Sequence, residues 1–148
     1  MRWLAIAVGT ALSACASGEA GPAVIDTRND TCSFCRMAIS DVRFAAQIVA
    51  PHEEPVFFDD IGCFASYVKA QHPREEAIAY VADHRTRQFV RAARATYTKV
   101  SGHETPMASR LIAHADAASR DADPDARGGA PQTLAEVFGP AGPPAGGK

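Results

Sequence analysis

Residues 42–72 read V-R-F-A-A-Q-I-V-A, P-H-E-E-P, V-F-F-D-D, I-G-C-F-A-S-Y-V-K-A-Q-H, and the order of those four pieces decides the fold class. Phe44, Ala46 and Ile48 alternate with Arg43, Ala45 and Gln47, the period-two pattern of a strand with one buried face, over 42–50. The charged run between Pro51 and Pro55 makes a turn. Val56, Phe57 and Phe58 form a second short strand that stops at Asp59 and Asp60, either of which can accept from the free N–H groups that open a helix. Ile61, Phe64, Ala65 and Val68 then recur at i, i+3, i+4 and i+7, so a helix follows, and Pro73 lies just past its end. Residues 78–82 supply a third apolar strand.

A weaker version of the same order recurs downstream. Phe89 and Val90, then Thr96, Tyr97, Thr98 and Val100, favour strands on either side of the alanine and arginine segment 91–95. The loop S-G-H-E-T-P (101–106) leads to Met107, where the spacing of Leu111, Ile112 and Ala115 predicts that a helix opens. The expectation is an α+β fold of two small strand-strand-helix-strand units with antiparallel sheets, about 31–84 and 85–120, whose shared order suggests a degenerate duplication. Residues 121–132, acidic and glycine-rich, read as a linker, 133–138 as one short helix, and the proline- and glycine-rich 139–148 as a disordered tail.

The amino terminus reads as an address. Arg2 precedes an apolar run from Trp3 to Leu12, and Ser13 and Ala14 precede Cys15, a short secretory signal over 1–14 that ends like a bacterial lipobox. Cleavage there leaves Cys15 as a lipid-bearing first residue, followed by a small, polar tether over 15–30. The implied location is the bacterial periplasm, with the membrane reached through the lipid on Cys15; Ala16 favours the outer membrane. No apolar run reaches the ~18 residues a spanning helix needs. With 15 Lys+Arg against 17 Asp+Glu and a net charge of −2, the chain lacks the basic footprint of a nucleic-acid binder. Beyond Cys15, the thiols are Cys32, Cys35 and Cys63. Three is an odd number, so a disulfide framework cannot use them all.

Cys32, Cys35 and Met37 place two thiols and a thioether within six residues. A C-x-x-C pair alone serves redox sites, zinc knuckles and structural disulfides alike. The methionine narrows the choice, because a thioether is a poor ligand for Zn(II) and a good one for the soft ion Cu(I). Thioethers also neither titrate nor pair into disulfides, which suits an oxidising compartment. Cys63 falls in the first turn of the expected helix, where the dipole favours a thiolate, though small buried cysteines are common on helices. Met37 reads equally as core filler and Met107 as a staple at a helix start. Of the five histidines, which show no i, i+4 pairing and mostly sit beside charges or prolines as surface residues do, only His103 stands out, because its loop leads to Met107.

The run C-S-F-C-R-M-A-I (32–39), with F-A-A-Q (44–47), F-F-D-D-I-G-C (57–63), A-T-Y-T (95–98) and T-P-M (105–107), resembles in order and spacing the NosL family of copper-binding lipoproteins. The resemblance implies a Cu(I)-binding protein and not an enzyme: a chaperone or carrier for a periplasmic cuproenzyme such as nitrous oxide reductase. Its partners would be that client or a copper-delivery protein. Carried over by position, Cys35 and Met37 match the family's C-x-M copper motif and Met107 a methionine brought in from the second half; Cys32 and Cys63 are further sulfur candidates. Two other classes compete: a thiol-disulfide oxidoreductase using Cys32 and Cys35, and a structural zinc module closed by Cys32, Cys35, Cys63 and a histidine.

Overall fold

A computed structural model describes residues 20–147, so the expected signal segment and Cys15 lie outside the described residues. The first unit runs β1 (Ala46–Val49), β2 (Val56–Phe58), α1 (Ile61–Gln71), β3 (Ile78–Ala82) and β4 (Phe89–Arg91). The second runs β5 (Thr96–Lys99), β6 (Leu111–His114), α2 (Ala117–Asp121) and β7 (Ala130–Gln132), and α3 (Leu134–Phe138) follows. All pairings are antiparallel, in the orders β2-β1-β3-β4 and β6-β5-β7. Strand for strand, the first three of each unit repeat one arrangement, and each unit is entered through a 3-10 turn, Val42–Phe44 and Ala92–Arg94. The α+β class and the strand-strand-helix-strand order are as the sequence indicates, but the boundary moves: β4, expected in the second unit, pairs with β3 in the first sheet, and the second unit runs past 120 to β7.

Local chemistry fixes α1. The Asp60 carboxylate accepts from the Gly62 N–H at 2.6 Å, satisfying one of the donors a helix start leaves open. His72, left-handed at φ 46°, closes the other end with its N–H on Val68 O. Ile61, Cys63, Phe64, Ala65 and Val68 are buried. Their core spans both units: Phe64 stacks on Phe58 at 5.3 Å and on Phe138 of α3 at 5.0 Å, and Phe138 meets Tyr97 of β5 at 5.4 Å. Asp83, just after β3, ties the two units again by accepting from the Ala115 N–H at 2.7 Å.

Several local expectations are corrected. The stretch after Met107 is no helix: Ala108 and Arg110 have φ of 55° and 58°, which breaks helical geometry, and Leu111–His114 is β6, paired to β5 from Thr96↔His114 to Lys99↔Leu111. So short an apolar run as Leu111–Ala113 fits either period, and pairing decides it. The second unit's helix is instead α2, capped by Asp116. Within the expected linker lies β7, the third strand of that unit, whose A-P-Q sequence shows no alternation because it is an exposed edge. The short helix at its end forms with a reciprocal capping box between Thr133 and Glu136.

Two terminal segments also pack rather than hang free. Gln47, expected on the polar face of β1, is buried, and its amide accepts from Ala23 N–H at 2.7 Å and donates to Ala23 O at 3.0 Å. With Tyr80 Oη donating to Ala20 O at 2.8 Å, residues 20–23 lie against the sheet instead of forming part of a tether. At the other end β4 pairs only with Tyr80–Ala82 of β3, and the expected disordered tail takes the groups left open. Ala79 N–H donates to Pro144 O and Gly146 N–H to Ala77 O, each at 2.9 Å. Among the described residues no helix is long and apolar enough to cross a membrane.

Candidate metal centre

The C-S-F-C-R-M stretch is a closed loop. Thr31 and Ala38 bridge its base, the Cys32 N–H donates to Met37 O at 2.8 Å, and the Arg36 N–H donates to Cys32 O at 2.9 Å. Arg36 makes the turn at φ 67°. The Ser33 N–H donates to Phe57 O at 2.8 Å, which pins the loop to β2. No described helix starts at this C-x-x-C pair, unlike the helix-opening arrangement of thioredoxin-like sites. The loop therefore delivers Cys32 and Cys35 to the place where β2 ends in Asp59 and α1 begins with Cys63 in its first turn.

One ligand atom from each of Cys32, Cys35, Asp59 and Cys63 lies within 4.8 Å of all the others. All three cysteines are free thiols; Cys32 and Cys63 are buried and Cys35 half-buried. Asp59 is buried too, and the Cys35 thiol donates to its Oδ1 at 3.5 Å. Burial pushes the Cys32 thiol above its usual range, while the backbone N–H groups of Cys35, Asp59 and Phe34 pull it partly back. Burial pushes Cys63 up further, reinforced by negative charge on Cys32 and Asp59. Such thiols hold their protons at neutral pH until a cation displaces them, so metal binding here releases protons. Asp59 is the residue sequence reasoning missed: a single aspartate suffices to cap α1, that is Asp60, and its neighbour is left to face the thiols.

The two methionines stand outside this buried set. Met37 is 55% exposed and Met107 41%, unusual values for so apolar a side chain. Met37 sits on the cysteine loop itself. Met107 comes from the second unit, where its N–H donates to Asp60 Oδ2 at 3.2 Å, and the same loop presses Ser109 against the start of α1. A Cβ placed on Gly62 would meet Ser109 Cβ at 2.6 Å. Asp60 thus caps α1 with one oxygen and holds the Met107 loop with the other. His103 stands apart from the thiol cluster. Two of the other histidines correct the surface expectation: His84 is 2% exposed and His114 fully buried. Charged sequence neighbours such as Asp83 and Arg85 gave the wrong signal, because these rings face a buried carboxylate, Asp123, at 2.7 and 2.9 Å.

A family model described as NosL matches residues 23–138. No curated protein matches the chain. Among solved structures, the crystal structure of the copper chaperone NosL from Shewanella denitrificans is similar at a TM-score of 0.64 and 16% identity, covering 81% of this chain and 96% of that one. At that identity the likeness speaks for the fold.

Proposed function

The chain belongs to the NosL family, and from that premise we propose that it is a lipid-anchored copper chaperone or carrier of the bacterial periplasm, holding one Cu(I) for a cuproenzyme such as nitrous oxide reductase. The observation that carries the reading is the convergence of three free thiols, with exposed methionines on the cysteine loop and on the loop bonded to Asp60, a set of donor types that favours a soft monovalent ion. Cys35, half-buried and nearest to solvent of the three, is the primary ligand, with Cys32 and Cys63 behind it. Met37 and Met107, on the two loops that frame the start of α1, complete the sulfur set as the ion enters or leaves. Transfer proceeds by ligand exchange, since an exposed thioether can give way to an acceptor's ligand before the thiolates let go. The family membership supports the copper reading, and the fold shared with the Shewanella denitrificans copper chaperone agrees with it. Export and lipidation at Cys15 follow from the lipobox-like segment.

One observation favours a second reading. Asp59 gives the cluster a fourth donor of a kind that Zn(II) accepts, so a zinc site would use Cys32, Cys35, Cys63 and Asp59 in place of the histidine expected from sequence. Anaerobic competition with a chromophoric Cu(I) chelator separates the two. The expected result is one Cu(I) per chain, undisturbed by excess Zn(II), with Cys35→Ser weakening the site at least about tenfold, or ~1.4 kcal/mol. Displacement of the copper by zinc would make the cluster a zinc module instead. Delivery is tested by mixing the Cu(I)-loaded chain with copper-free nitrous oxide reductase and following activity.

A further inference from the structure

A second ligand cluster shares no residue with the thiols. His84 follows β3, His103 lies in the loop between β5 and β6, and Asp125 sits in the 3-10 turn Pro124–Ala126. One ligand atom from each lies within 4.8 Å of the other two. Asp123 accepts from both buried rings, from His84 Nδ1 at 2.7 Å and His114 Nε2 at 2.9 Å. An ionised carboxylate can only accept, so His84 carries a proton on Nδ1, and in the neutral ring Nε2 is left with a lone pair. That lone pair is buried and no protein group donates to it. Leaving a buried polar atom so is costly, on the order of 1–3 kcal/mol. The pattern, a carboxylate holding one imidazole nitrogen by its proton so that the other is left as a base, is how proteins orient histidine toward a metal.

The surroundings suit an ion that comes and goes. Phe44 packs against His84 at 5.1 Å and His103 at 5.7 Å. His103 and Asp125 remain partly open to solvent, with side chains 29% and 41% exposed, and form the mouth. The nearby cation Arg43 is engaged by Asp41 through two bonds of 2.7 and 2.9 Å. A tetrahedral ion with ~2.1 Å bonds needs donors about 3.4 Å apart, and the closing movement falls on the two exposed residues. We propose that His84, His103 and Asp125 form a second metal site for a divalent transition cation that prefers nitrogen and oxygen donors, with Asp123 orienting His84 and one coordination position left to solvent.

The test uses the full chain, loaded with Cu(I) so that the thiols are occupied, and Zn(II) alone as the probe. Expected is one further Zn(II) per chain, with imidazole resonances of His84 and His103 shifting on binding. His103→Ala should weaken this Zn(II) at least about tenfold and abolish the shifts, while circular dichroism, melting temperature and Cu(I) affinity stay as in the wild type. Asp125→Asn, a conservative change at an exposed position, should weaken it in the same direction. The site is overturned if Zn(II) perturbs no histidine resonance, or if both variants bind it as tightly as the wild type.

Discussion

Asp59 is where two chemistries can be told apart by one atom. Asp59→Asn keeps the shape and an acceptor for the Cys35 thiol while removing a negative charge from beside Cys63 and Cys32. With that charge gone, the thiols lose protons more readily, and a soft ion held by sulfur is little affected. The expected outcome is Cu(I) affinity within about threefold of wild type and Zn(II) affinity lower by about tenfold or more, read in parallel competition titrations. Equal losses for both ions would make Asp59 a ligand in its own right. The methionines give a contrasting case. Met37→Ala and Met107→Ala remove side chains that are only partly covered, so urea midpoints should correspond to losses of no more than about 1 kcal/mol each. Copper should nevertheless leave each variant faster in stopped-flow chelator exchange.

At the level of elements, the first turn of α1 is the joint. Gly62 has no room for a side chain, with Ser109 Cβ and Asp60 Oδ1 at 2.6 and 2.9 Å from where a Cβ would sit. Gly62→Ala gains helix propensity of up to about 1 kcal/mol, yet it must push the Met107 loop away or disturb the Asp60 cap. A net loss of roughly 1–3 kcal/mol is expected by chemical denaturation, together with weaker Cu(I) binding. If the variant is more stable than wild type, the loop is not pressed on the helix. This joint is only half legible in the sequence. The strands and helix over 42–82 are readable because their signals are local: alternation, a capping aspartate, a proline after the end. Chemistry singles out Met107, but the apolar spacing after it mimics a helix, since the positive φ values at Ala108 and Arg110 leave no trace in that spacing. β7 carries no pattern because an edge strand of Ala, Pro and Gln is defined only by its partner β5. His84, His103 and Asp125 come from three distant segments, and no spacing rule joins them.

For the molecule as a whole, α3 is the clamp. Phe138 touches Phe64 of α1 and Tyr97 of β5, so through this ring too the helix carrying Cys63 leans on the second unit. Phe138→Ala should cost about 3–5 kcal/mol in denaturant unfolding. On the sulfur set we propose, copper would add a further link across the same boundary, and an ion bound by the native state alone stabilises it by mass action. The melting temperature should therefore rise with Cu(I), and hydrogen exchange should slow in both 32–37 and 101–107. Protection confined to 32–37 would mean that Met107 takes no part.

The bond between Gln47 and Ala23, with the contact of Tyr80 on Ala20, has a consequence measured in reach. With the lipid on Cys15 that we propose, a free stretch 15–30 would let the body wander roughly 50 Å from it; with the chain held from Ala20 onward, only the five peptide steps from Cys15 remain, at most about 18 Å when fully drawn out. With that anchor the protein is on a short leash, and the face that carries Ala20 stays within about two nanometres of the bilayer's surface. Lengthening the leash by inserting a flexible Gly/Ser segment after Ser17 should leave copper affinity in solution untouched and change how fast a membrane-bound partner is served.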